Sequence, residues 1–212
     1  MSAALRARVA AAVRELGHAF VAHDAPDDEL TSLAEALEDL VARVSAGPDR
    51  QPGPDPDLVP PAVADRLSDA AQLYWYLAGD SVVSGAANPM GLGARYWLEG
   101  ETAVMEVVFG RAFEGAPGRT HGGILATLID ETMGTVLGHH GVFALTAWLK
   151  VTYRSAAPLG EPITARAWLA ERDGRKLTIG ARVEASGKVV ADAEALFIAV
   201  DPRRFLESPP ES

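Results

Sequence analysis

The chain contains no cysteine. That removes disulfides, thiolate metal sites and cysteine nucleophiles together. Positive charge is also scarce: 19 Lys and Arg stand against 29 Asp and Glu, a formal net charge of -10. Such a balance argues against general nucleic-acid binding, because neutralising phosphates takes basic patches. A local cationic pocket for a phosphorylated ligand stays open. No apolar run approaches membrane-spanning length, and the N-terminus has no basic-then-apolar signal pattern, so no membrane partner is expected and the expected location is the cytoplasm. There is no internal repeat. What remains is an ordinary globular composition, 48% hydrophobic and 23% charged over 212 residues, sized for one domain with or without an appendage.

Residues 3–22 place Leu5, Val9, Val13, Leu16 and Phe20 at steps of three and four, the pattern of an amphipathic helix. Asp24, Pro26, Asp27, Asp28 and Glu29 then suit a second helix start. Its stripe is Leu30, Leu33, Leu37, Leu40, Val41 and Val44, ended by Gly47-Pro48. Two such helices on a short link predict an antiparallel helical hairpin over 1–46, packing on its own domain or a sister subunit, or recruiting a partner. Prolines at 48, 52, 54, 56, 60 and 61 mark 47–61 as an extended linker. A short helix ending in Tyr74-Trp75-Tyr76 and an irregular segment fill 62–87. Gly91-Leu92-Gly93 lacks the third glycine and the following helix of a dinucleotide loop.

The second half has a different rhythm. Strands are predicted over 94–99 and 102–109 around a Gly100-Glu101 hairpin, then a loop over 110–120. After a helix over 121–139, four strands follow at 142–155, 162–172, 176–185 and 188–200, read as a meander. Asp173-Gly174 and Ser186-Gly187 supply hairpin turns. The tail, 203–212, contains proline and is expected to fray.

The helix over 121–139 organises the rest. It is apolar on nearly every side, with Ile124, Leu125, Leu128, Ile129, Met133, Val136 and Leu137, which predicts burial. Yet Asp130 and Glu131 sit in its middle, where an unpaired carboxylate is costly. Free amides at its start and acid at its centre read as a reaction site. An antiparallel sheet curled around this one helix is the economical arrangement, giving an α+β fold with an N-terminal helical extension.

His121-Gly122-Gly123, Asp130 nine residues after the histidine, the strand Thr146-Ala147-Trp148-Leu149-Lys150-Val151-Thr152-Tyr153, and Pro158-Leu159-Gly160 resemble the PaaI-like acyl-CoA thioesterases, which are hotdog-fold enzymes. The resemblance covers roughly 88–201, over half the chain, and implies a hotdog domain over 88–202. It implies hydrolysis of an acyl-CoA thioester with no cofactor beyond the coenzyme A of the substrate, and no metal. It further implies a homodimer or dimer of dimers whose subunits pair edge to edge, with active sites at the interface, so that Gly122 of one chain faces Asp130 of the other. The small residues Ala126 and Gly134, four positions either side of Asp130, would let a substrate or second backbone approach.

On that reading the Gly122 amide, with Gly123 second, would receive the developing negative charge of the thioester oxygen. By resemblance, Asp130 would be the general base or a nucleophile forming a transient anhydride, and Thr146 would hold the water against it. His121 would touch the carbonyl or shape the turn. Glu131 competes with Asp130 but lies about 100° around the helix. Some relatives carry Asn or Gln six residues before the histidine, where this chain has Gly115. Arg154, Arg172, Arg175 and Lys176 are the candidates for the nucleotide end of coenzyme A. His139-His140 mark the helix C-terminus rather than a metal pair, since adjacent helical residues do not face together. The alternative to an enzyme is a non-catalytic hotdog module that binds acyl-CoA or assembles partners through its N-terminal helices.

Overall fold

The structure is a computed structural model and describes residues 3–49 and 79–201. Most of the linker over 47–61, the short helix with Tyr74-Trp75-Tyr76 and the 203–212 tail therefore lie outside the described residues. Helices α1 (Ala3–Ala22) and α2 (Asp27–Ser45) come first. Among the described residues they are followed by strands β1 (Arg95–Glu99) and β2 (Thr102–Val108), a 3-10 turn at Arg111–Phe113, and helix α3 (Gly122–His139). Strands β3 (Ala144–Tyr153), β4 (Pro162–Asp173), β5 (Lys176–Ala185) and β6 (Lys188–Ala199) complete the body.

The six strands form one antiparallel sheet in the order β1-β2-β4-β5-β6-β3. The expected four-strand meander is thus only partly correct. β4, β5 and β6 are a meander, but β3 crosses to pair with β6, and β4 inserts beside β2. The reason is α3: it separates β2 from β3, and the crossover carries the chain over the helix to the far edge. The Gly100-Glu101 hairpin forms as expected, with Gly100 at φ 63. At the Ser186-Gly187 turn both residues take positive φ, 50 and 73, as a type I′ turn requires.

The concave face of the sheet wraps α3. Many of its inward positions are alanine: Ala103, Ala165, Ala167, Ala181, Ala191 and Ala195, all essentially inaccessible. Short side chains there let the sheet approach the helix closely, while Leu125, Leu128, Ile129, Met133 and Val136 supply the bulk. The helix is buried on these faces only. Gly122, Ala126, Thr127, Asp130, Glu131 and Gly134 form a half-open side that the sheet leaves uncovered.

The two N-terminal helices do not close on each other as the hairpin reading expects. Leu5, Val9, Val13 and Phe20 remain exposed, and α2 has no buried residue. α1 docks instead through another face. Ala10 is buried, and Arg14 donates from Nη1 to the carbonyl of Asn88 at 2.6 Å. His18 stacks edge-on against Phe113 at 5.0 Å between centroids and accepts from the Ala112 N–H at 3.2 Å, and burial lowers its pKa. This contact requires glycine at 110, because a Cβ there would lie 2.6 Å from the His18 ring. Gly110→Ala is therefore expected to undock α1 at a cost of about 1–3 kcal/mol. Hydrogen exchange should show faster labelling of 3–22 with the β4–β6 amides still protected; equal protection of α1 in both proteins would refute the docking mode.

Candidate active site

His121 is the N-cap of α3: its Nδ1 accepts a hydrogen bond from the Gly123 N–H at 3.0 Å. One of the free amides of the first turn is thereby used. Gly123 is thus withdrawn as an oxyanion donor, and His121 acts on the turn. The Gly122 N–H has no partner among the described residues. The Gly122 carbonyl, in turn, accepts from the Tyr153 hydroxyl at 2.7 Å. Tyr153, from the end of β3, covers this glycine closely enough that an added Cβ would meet its ring at 3.3 Å. A cleft of about 510 Å³ opens here, bounded by His121, Gly122, Tyr153, Arg119 and Arg154.

Asp130 lies two turns further along the half-open side of α3. Thr146 donates from Oγ1 to Asp130 Oδ1 at 3.0 Å. The geometry depends on an irregularity in β3. Trp148 pairs with Leu196, yet Thr146 pairs with Phe197, so Ala147 is an extra residue between them. Side chains alternate strictly along a strand, so without this bulge Thr146 would share the outer face with Trp148. The bulge turns Thr146 inward, onto the helix. A second cleft, of about 420 Å³, holds Asp130 and Thr146 together with Val82, Phe143, Leu145 and Phe197.

Glu131 borders the same cleft as Asp130 but has its own partners. Its carboxylate accepts from the Ser81 hydroxyl, the Ser84 hydroxyl and, at 3.1 Å, the Ser84 N–H. It is bound into the turn at 81–84. The four sequence-derived cations are divided between sites. Arg154 borders the Gly122 cleft but is tied to Asp192 at 3.0 Å. Hydrogen bonds from Arg182 first and Arg154 second hold the Asp192 carboxyl below its ordinary value. Arg172, Arg175 and Lys176 cluster instead around the β4–β5 turn, where Arg175 Nε donates to the Ala199 carbonyl at 2.9 Å. Sequence reasoning missed Arg119, on the rim of the Gly122 cleft, and the contact of Tyr153, which entered only as the last residue of the strand that carries the resemblance. His139 and His140 pack edge-on, 5.5 Å between centroids, at the end of α3. No group of three or more His, Asp or Glu among the described residues is placed to hold a metal. Nor is any described helix long and apolar enough to cross a membrane.

Residues 117–200 match the family model described as the Thioesterase superfamily. That match takes in α3 and strands β3 to β6. The chain also aligns with curated relatives. It is 37% identical over 99 residues to the acyl-coenzyme A thioesterase THEM4 of Mus musculus, covering 46% of this chain and 43% of that protein. With the Rattus norvegicus THEM4 the figures are 32% over 122 residues, 55% and 53%. The chain thus spans about half the length of the curated relatives it matches. A crystal structure of a thioesterase superfamily protein is similar over 91% of this chain and 90% of its own, with a TM-score of 0.75 and 27% identity. The E. coli PaaI protein from the phenylacetic acid degradation operon shares the hotdog fold, with a TM-score of 0.50 and 17% identity over 52% of this chain and 81% of that one.

Gly115, where some PaaI-like enzymes have an amide side chain, is excluded from carrying one here. A Cβ at 115 would lie 2.9 Å from the His121 Cα, a backbone atom that cannot turn aside. The hotdog domain therefore has no side chain at that corner. Gly115→Ala is expected to displace the His121-Gly122 turn and cost about 1–3 kcal/mol of stability in chemical denaturation. A variant as stable as the wild type would contradict this packing.

Proposed function

We propose that the chain is an acyl-CoA thioesterase that hydrolyses a thioester to a free acid and coenzyme A. The observation that carries this reading is Asp130: a carboxylate on the one uncovered side of an otherwise buried helix, fixed by Thr146 and facing a cleft with apolar walls. With Oδ1 engaged by Thr146, Oδ2 remains to accept a proton from water, and the Thr146 oxygen has lone pairs left to orient that water. The deprotonated water adds to the thioester carbon. The oxygen that becomes negative is met by the Gly122 N–H, at the positive end of α3. Collapse breaks the C–S bond, and the coenzyme A sulfur leaves with a proton. Direct attack by Asp130, through an anhydride, is the alternative step. The partner group on Oδ1 favours the water route, because it leaves one oxygen aimed as a base.

Gly122 and Asp130 are eight residues apart on one helix, about 12 Å along its axis. A single thioester needs both within about 3–3.5 Å of its reacting atoms. The two ends of α3 therefore serve different substrates, and each site is completed by a second copy of the chain. The ten-residue β3 lies at the end of the strand order, with one backbone edge unpaired among the described residues, and supplies the surface for that pairing. Arg119 and Arg154 beside Gly122 are the cations placed to meet coenzyme A phosphates at that end, and Arg172, Arg175 and Lys176 at the other.

Release of free thiol from a panel of acyl-CoAs tests the reading. Asp130→Asn is expected to lower kcat at least about a hundredfold, the scale of a lost general base. Thr146→Ala should lower it about tenfold, the worth of one hydrogen bond to a charged group. Undiminished turnover by Asp130→Asn, or a silent wild type across the panel, would overturn it and leave the acyl-CoA-binding module.

A further inference from the structure

The turn at 81–84 lies outside the residues that match the superfamily, yet it forms one wall of the Asp130 cleft through Ser81, Val82 and Val83. It is held in two ways. Val83 is fully buried in the core, and the carbonyls of Val82 and Val83 accept from the N–H groups of Leu92 and Ala94 at 2.9 and 3.1 Å. On the other side Glu131 gathers three donors from the turn, the hydroxyls of Ser81 and Ser84 and the Ser84 N–H. Ser81 Oγ in turn accepts from the Val83 N–H at 3.0 Å. A carboxylate with three donors is well compensated for its partial burial, and every one of those donors comes from the wall. Glu131 thus ties the wall to the helix one residue away from the proposed base.

The wall presents an apolar side chain to the cavity. Val82 is 51% exposed although its neighbour Val83 is fully buried, and it faces a space shared with Phe143, Leu145 and Phe197. A cleft of about 420 Å³ is of the size that takes a bound small molecule. Among its polar residues Ser81 and Glu131 are bonded to each other, while Asp130 and Thr146 are where the thioester reacts, so its apolar part is where the group attached to the carbonyl must lie.

Resting on the thioesterase reading, we propose that Glu131 is a positioning residue that latches the 81–84 turn as the wall of the acyl pocket, and that Val82 sets the length of straight-chain acyl group accepted. The latch explains why an acid adjacent to the proposed base takes no part in the chemistry. It also connects α1 to the pocket. Arg14 of that helix donates to the Asn88 carbonyl, and Asn88 Nδ2 donates to the Asp80 carbonyl at 3.0 Å, at the root of the wall.

The test combines kinetics, exchange and binding on the full chain, with acyl-CoAs from acetyl to palmitoyl. Val82→Trp should lower kcat/KM for the preferred chain length by about tenfold or more, and for acetyl-CoA by less than about threefold. Glu131→Ala should raise KM for the preferred chain about tenfold with a smaller change in kcat, and should speed hydrogen exchange in the 79–93 peptide. Glu131→Gln, which keeps an acceptor for one serine and a donor for the other, should restore both. Parallel chain-length profiles for Val82→Trp and wild type would overturn the assignment of the wall. So would a Glu131→Ala loss of kcat that is equal at every chain length and leaves 79–93 exchange unaltered. Calorimetric titration of Asp130→Asn, with and without Val82→Trp, reads chain-length preference without turnover. A preference that shifts there supports the wall even if the wild type hydrolyses nothing, whereas one that does not shift refutes it whatever the activity.

Discussion

Everything about this molecule follows from placing a carboxylate on a helix that has to be the centre of the core. Asp130 needs polar company, while its helical neighbours Leu128, Ile129 and Met133 need none. The two demands are reconciled because the sheet wraps only part of α3. The alanines on the inner face of β2, β4, β5 and β6 draw the sheet close on one side, and the other side stays open for small and polar residues. A sheet lined with larger side chains would stand further off and could not be packed as tightly by one helix.

Charge on the open side is handled by division of labour. Thr146 supplies the partner to Asp130, and the serines at 81 and 84 supply partners to Glu131. Adjacent acids on one helix, about 100° apart, border the same cleft but are thereby given separate partners: one is bonded to a strand, the other to a turn. The first-turn amides are divided in the same manner. His121 takes the Gly123 N–H and leaves that of Gly122 available, so the cap selects which backbone donor is presented.

Much of this was legible in the sequence. The helix, its burial, the acid at position 130 and the glycine-rich start all stood out as one apolar stretch with misplaced polar residues. The hairpin turns at Gly100 and at Ser186-Gly187 were legible because few other residues accept their backbone angles. What escaped were contacts made across the chain. The crossover of β3 to β6 depends on where α3 lies, which strand periodicity does not encode. The bulge at Ala147 has no compositional mark. Ser81 and Ser84 sat in a segment with no period, and the docking face of α1 was the small-and-polar one of Ala10, Arg14 and His18 rather than its apolar stripe. Hydrophobic pattern finds faces that want burial; it does not say which face a neighbour will take.

Two side-chain hydrogen bonds tie β3 to α3. Tyr153 bonds to Gly122 at one end, and Thr146 bonds to Asp130 at the other, with the bulge between them. The strand therefore acts as a ruler laid against the helix, and its unit is one residue. A slip of the β3–β6 register by a single position would carry both side chains to the outer face at once. The amide end and the acid end of the helix are separate in space, but they are kept in step by a single count of residues along an edge strand.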